Sequence, residues 1–172
     1  MSPSSPPPRR VLGIDPGLRV TGYAILEAGP KSPRVCEAGI VRSAEGKPSS
    51  TDMARRLASL YDGIVEVMEE FQPGAVAVEQ LFAHYQHPRT AILMGHARGV
   101  LLLAAGQRSL TVHSYSATRI KKTITGHGRA SKEQVQHTMQ RELGLSRVPE
   151  PADVADALAA ALCHYYLLKL PA

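Results

Sequence analysis

Four acidic residues of this chain have neighbours suited to holding a metal ion. Asp15 ends the apolar run Arg10–Asp15 and is followed by Pro16-Gly17. The proline pushes Asp15 toward extended backbone, and Pro-Gly suits the two central positions of a type II turn. A stiff turn thus presents the carboxylate at a strand end. Side chains alternate along a strand, so Asp15 shares a face with Val11 and Gly13, and Gly13 is expected to leave empty space beside the acid. Glu79 repeats the pattern at the end of Ala75–Glu79, with Ala75 and Ala77 on its face and Val76 and Val78 on the other. Asp153 and Asp156, three apart, lie on one face of a helix that opens near Ala152. The alanines between Ala155 and Ala161 let that helix approach a sheet closely. If the two strands are neighbours and the helix covers their small-residue face, four carboxylates meet at one place. Each acid also has a plainer reading: the opening of a surface turn for Asp15, a salt bridge for Glu79, a first-turn partner of the helix dipole for Asp153 and Asp156.

Gathered carboxylates repel and need cations to coexist. The donors are hard oxygens, and the two cysteines, Cys36 and Cys163, lie far apart with no CxxC pair. That set suits magnesium or manganese. Two such ions clamping a phosphodiester, one activating a water and one stabilising the leaving 3′-oxygen, is the chemistry such a site performs.

Charge points to the same substrate. The net charge is +5, yet ten of the fifteen acids fall within the first 79 residues. From Gln80 to Lys132 there is no acid, while Arg89, Arg98, Arg108, Arg119, Lys121, Lys122, Arg129, Lys132 and five histidines fall there. A basic field of this kind attracts a phosphate backbone. A solvated surface with its counter-charges elsewhere in the fold is the alternative. The same segment places two aromatics, Phe82 and Tyr85, in a polar loop just after Glu79.

The elements that must position these residues follow from periodicity. Arg10–Asp15, Val20–Glu27 and Arg34–Arg42 read as three strands of an antiparallel meander. Over 49–71 the apolar residues recur at three and four (Met53, Leu57, Leu60, Ile64, Met68), an amphipathic core helix capped by Ser50 or Thr51 and stopped by Pro73-Gly74. Ala75–Glu79 and Thr111–Tyr115 are the fourth and fifth strands. The helix over 88–105 is apolar around much of its circumference, with Ile92, Leu93, Val100, Leu101, Leu102 and Leu103 spread about it. Such a helix is either central to one domain or covered by a second copy of the chain, and Gly95 and Gly99 would let a partner helix come close. Ser131 and Gln134 form a capping box for a helix over 132–143. The connection before it carries a flexible basic turn, Thr125 to Gly128.

With 172 residues, 44% of them hydrophobic, the chain is expected to form one domain over 10–170, preceded by a disordered Pro/Ser-rich extension over 1–9. The cysteine usage suits a reducing cytoplasm, and no apolar run is of membrane-spanning length.

The segments GIDPGLRVTGYAI, AVEQLF, GHARGV, IKKTITGHGRASKEQVQ and ADVADALAAALCH resemble, in order, the motifs of the RuvC family of bacterial Holliday junction resolvases. The resemblance runs from about Val11 to Tyr166. It implies an α/β, RNase H-like fold, with a mixed five-stranded sheet (three antiparallel strands, then parallel ones) flanked by helices. It implies a homodimer that makes paired symmetric nicks across four-way junction DNA in recombination and repair, leaving 5′-phosphate and 3′-hydroxyl ends. Magnesium or manganese would serve, two ions per site, and the RuvA–RuvB branch-migration complex would be a partner. Carried over by position, the catalytic and metal-binding acids are Asp15, Glu79, Asp153 and Asp156. Some members carry His where Asp153 stands. Phe82 matches an aromatic that sits against a junction base, and Lys121 and Lys132 match basic residues of the active-site groove. Tyr85, Arg89, Lys122 and Arg129 complete the expected DNA-contact set. Two other classes compete. One is a non-catalytic junction binder of the same fold, which the four acids argue against. The other is an actin- or sugar-kinase-like ATPase, whose first phosphate loop GIDPG also resembles but whose two domains this chain is too short to hold.

Overall fold

Five strands form a single sheet in the computed structural model, which describes residues 9–43, 50–81 and 88–168. β1 (Arg10–Asp15), β2 (Val20–Glu27) and β3 (Arg34–Arg42) are the expected meander. After α1 (Ser50–Phe71), β4 (Ala75–Glu79) returns parallel to β1. α2 (Pro88–Gln107) then leads to β5 (Thr111–Tyr115), parallel to β4. The order across the sheet is β3-β2-β1-β4-β5. Three helices follow: α3 (Ala117–Thr125), α4 (Lys132–Glu142) and α5 (Ala152–Leu168). No helix among the described residues is long and apolar enough to cross a membrane.

Strand alternation divides the core as the sequence predicts. Leu12, Ile14, Val76 and Val78 point to one face, where they pack with Leu60, Ile64 and Met68 of α1 and Leu101 of α2. Val11, Ala24 and Ala77 point to the other, under α5 with α3 and α4 beside it. The register aligns the small residues of that second face into a row running Ala38, Ala24, Gly13, Ala77 across four strands. α5 lies on this shelf, and its alanines and leucines from Val154 to Cys163 are buried nearly all round.

Gly13 does not leave a void beside Asp15. A Cβ there would overlap the Ala157 carbonyl oxygen and stand 2.8 Å from the Ala161 Cβ, so the helix backbone occupies the space the side chain lacks. Gly22, paired with Asp15 across the hairpin, is covered in the same way by the Asp153 carbonyl. The turn after Asp15 also differs from a type II turn, because Gly17 is not in the left-handed region that turn requires. Its glycine is needed for a close approach, since a Cβ would overlap the Val20 carbonyl oxygen. The turn is closed by Thr21, whose hydroxyl donates to the Gly17 carbonyl at 2.7 Å and accepts from the Gly17 N–H at 3.2 Å.

α3 is the element that periodicity did not reveal. Its signals were nonetheless local: Ser116 caps it by accepting from the Arg119 N–H, Gly126 ends it at φ 81°, and Ile120 and Ile124 are its buried face. The segment expected to be a flexible basic turn is thus an ordered helix end, in which Thr125 bonds both the Lys121 and His127 carbonyls. The capping box of Ser131 and Gln134 forms as read. α1 ends with Gln72 in a left-handed conformation (φ 47°), ahead of Pro73. The capping side chains proposed for its start, Ser50 and Thr51, lie outside the described residues, as does the extension over 1–8.

Placing a methyl group under α5 should be costly while open glycines should tolerate one. Gly13→Ala and Gly22→Ala are each expected to destabilise by about 1–3 kcal/mol or more, the range for forcing atoms into a filled core. Gly106→Ala, where a Cβ meets nothing within 4 Å, should be neutral or slightly stabilising. Urea unfolding midpoints of the three variants test this, and equal midpoints would contradict the close-packed shelf.

Candidate active site

One residue beyond the last paired position of β1 and β4, Ile14↔Val78, stand Asp15 and Glu79. They occupy one row across the sheet: Ile40, Gly22, Asp15, Glu79, Tyr115. Because the Asp153 carbonyl sits on Gly22, the first turn of α5 lies over this same row, and Asp156 follows one turn on. Two strand-end acids and the first turn of α5, with Asp153 and Asp156, thus share one edge of the sheet.

Electrostatics shows how close that convergence is. Burial raises the Asp15 carboxyl from 3.8 to about 8, with Asp156, Glu79 and Asp153 adding repulsion and Lys132 opposing them. Burial raises Glu79, with Asp156 adding to it and Lys121 and Lys132 drawing it down. Asp156 is raised by burial and by Asp153, against the pull of Lys132 and Lys121. Among the described residues, no ion pair within 4.0 Å involves any of the four acids. Among the described residues, no three His, Cys, Asp or Glu side chains stand close enough together to hold a metal ion as they are placed. The acids thus stand around an open, under-neutralised site. An all-oxygen donor set of neighbouring like charges fits a hard divalent cation, which would supply the missing positive charge.

Two of the five lysine and arginine residues in the expected DNA-contact set act on this site. Lys121 comes from α3 and Lys132 is the first residue of α4, and both act on Glu79 and Asp156. A cation in a first helical turn opposes the helix dipole, and at Lys132 the nearby acids offset that cost. Lys122 and Arg129 are exposed at the α3 end, and Arg89 is exposed at the start of α2. None of these three is among the charges that act on the acids. Phe82 and Tyr85 lie outside the described residues.

Sequence reasoning did not single out the groups that hold the strand ends. Arg98 of α2 donates from Nη2 to Ser114 Oγ at 2.7 Å and from Nε to the Glu79 carbonyl at 3.4 Å. The Gln80 N–H donates to the Tyr115 carbonyl at 2.8 Å. The Tyr115 hydroxyl shares a hydrogen bond of 2.8 Å with Nδ1 of His164, a fully buried residue of α5. Burial, aided by His113, holds His164 down at about 4, so its ring is neutral near pH 7. These contacts join residues far apart in sequence, and only the presence of Arg98 within the GHARGV segment hinted at one of them.

The raised acids make a pH prediction for the metal-free protein. Between the ordinary value of 3.8 and about 8, the folded state holds a proton on Asp15 that the unfolded chain has lost. Stability then falls as pH rises through that window. Melting in the presence of a chelator should therefore occur at lower temperature at pH 8 than at pH 6. Asp15→Asn should raise the melting point at pH 8 by several degrees and flatten the dependence. An Asn variant as pH-sensitive as the wild type would contradict the assignment of the proton to Asp15.

Residues 11–164 match the family model described as crossover junction endodeoxyribonuclease RuvC. A crossover junction endodeoxyribonuclease RuvC from Rhodopirellula baltica is 48% identical over 94% of this chain and 88% of its own length. One from Moorella thermoacetica is 46% identical over 90% and 89%. Among solved structures, Thermus thermophilus RuvC in complex with a Holliday junction substrate superposes with a TM-score of 0.82 at 33% identity, covering 94% of this chain and 95% of that one. The yeast mitochondrial resolvase Ydc2, at 18% identity and a TM-score of 0.63, shares the fold. With the family model spanning residues 11–164 and a relative 48% identical over 94% of the chain, the chain belongs to the RuvC family.

Proposed function

We propose that this chain is a structure-selective endonuclease that resolves Holliday junctions, with Asp15, Glu79, Asp153 and Asp156 as its catalytic, metal-holding acids. The observation that carries the reading is the meeting of β1, β4 and α5 in one row, where burial first and neighbouring acids second raise the carboxyls of Asp15, Glu79 and Asp156. A non-catalytic junction binder has no use for so costly a cluster. When bound, two magnesium or manganese ions supply the Lewis acidity for hydrolysis of a phosphodiester to 5′-phosphate and 3′-hydroxyl ends.

The chain's own residues supply the rest. The four carboxylates hold the cations at the sheet edge. Lys121 and Lys132 offset their repulsion and draw a phosphate toward the same edge. Lys122, Arg129 and Arg89 extend the positive surface away from the acids, and contacts of this kind position a duplex without reading its sequence. Phe82 and Tyr85, in the loop after Glu79, complete the proposed DNA-contact set.

Two equivalent strands of a junction call for two equivalent sites. We place the homodimer interface on α2. Of its apolar residues, Leu101 packs into the domain, while Ile92, Leu93 and Leu103 are 61%, 37% and 54% exposed. Gly95 and Gly99 open on free space beside them. One side of this helix thus serves the core, and the bare side is the surface offered to a second copy. A single domain over 10–170, work in the cytoplasm and action with a RuvA–RuvB branch-migration complex belong to the same reading.

Asp15→Asn should lose cleavage of a four-way junction in magnesium while keeping junction affinity, because it removes metal-binding charge and leaves the basic surface intact. Loss of binding as well, in a folded variant, would overturn the assignment. Lys121→Ala should weaken junction binding and flatten its salt dependence by roughly one unit, and an unchanged slope would remove Lys121 from the interface. Leu103→Arg should sediment as a folded monomer that nicks poorly. A monomeric wild type, both free and on the junction, would end the paired-nick mechanism.

A further inference from the structure

Glu79 is the last residue of β4, and among the described residues no hydrogen bond holds its carboxylate. Its aim must come from its backbone. The peptide joining Glu79 to Gln80 is gripped at both polar atoms: the carbonyl accepts from Arg98 Nε at 3.4 Å, and the N–H donates to the Tyr115 carbonyl at 2.8 Å. Rotating that peptide, which would swing the Glu79 side chain, breaks both bonds at once. Arg98 reaches it from α2, on the face of the sheet opposite the acids. Its second bond, to Ser114 Oγ at 2.7 Å, ties β5 into the same arrangement. The planar fork of an arginine can bond two groups on two strands from fixed directions, which a lysine cannot do. The guanidinium lies in a groove of about 550 Å³ lined by Leu81, Gly95, Gly99 and Leu102, so α2 passes close to the strand end it steadies.

We infer that Arg98 is a positioning residue for metal binding, fixing the Glu79–Gln80 peptide from behind the sheet so that the carboxylate faces Asp15 and Asp156. This rests on the reading of Glu79 as a metal-holding acid. Partners that orient metal ligands typically contribute about 10–100-fold to metal affinity or activity.

The test is manganese binding to the full chain, followed by electron paramagnetic resonance, beside junction affinity and the manganese dependence of cleavage. Arg98→Ala should bind the junction within twofold of wild type while its manganese half-saturation rises about tenfold. Arg98→Lys should fall between the two. Glu79→Gln is run in parallel as the reference. If Glu79→Gln binds manganese and cleaves like wild type, the metal-site reading itself fails. If Glu79→Gln is impaired but every folded Arg98 variant stays within twofold of wild type, the positioning role fails alone. An Arg98→Lys variant equal to wild type beside an impaired Arg98→Ala would also overturn it, since charge rather than the two-pronged geometry would then suffice.

Discussion

The contact on which the structure turns is the seating of α5 on bare backbone. Over Gly13 and Gly22 the helix carbonyls of Ala157 and Asp153 occupy positions that any side chain would fill. Helix and sheet elsewhere are kept apart by interleaved side chains. Here the row Ala38, Ala24, Gly13, Ala77 removes them, and the alanines of α5 remove them from the other side. The helix gives up contact area on that face and regains it at its flanks, where Leu158 and Leu162 are fully buried. Interiors packed to this density do not yield by fractions of an ångström, so the depth and register of α5 are fixed. With them is fixed the separation between strand acids and helix acids.

That rigidity allows like charges to be stored together. Asp15 is raised to about 8 by burial and by three neighbouring carboxylates, and the lysines that relieve the acids come from two further helices, Lys121 from the middle of α3 and Lys132 from the start of α4. The cluster opposes folding, and the apolar core on the other face of the sheet compensates for it. Local rules are violated here in a group: half-buried acids without ion pairs and a lysine in a first helical turn, all at one edge. Such concentrated violations mark functional sites.

The strands were legible because one face of each is apolar and the other small or polar, so a period of two appears in five residues. The acids were legible for the same reason, since they break the pattern at strand ends. α3 was harder. It is short, is rich in β-branched and basic residues, and its two buried isoleucines do not make a long periodic run, although Ser116 and Gly126 marked its ends. The turn at Gly17 was misread because proline and glycine in sequence suggest a dihedral preference, whereas the glycine answers to a neighbouring carbonyl. The space at Gly13 was misread because a missing side chain says nothing of what fills its place. Arg98 with Glu79 and Tyr115 with His164 are pairings between distant segments, and no local pattern encodes them.

The division of the acids among β1, β4 and α5 has a consequence for the protein while it is being made. Asp15 leaves the ribosome in the first strand, Glu79 in the fourth, Asp153 and Asp156 only with the fifth helix. β1 can pair with β2 early, but the small-residue shelf stays uncovered until α5 arrives. A nascent chain therefore presents an exposed apolar sheet face and an incomplete set of carboxylates. α5, the last of the described helices, both closes the core and brings Asp153 and Asp156 to the edge that holds Asp15 and Glu79, so folding and the gathering of the acids are one event.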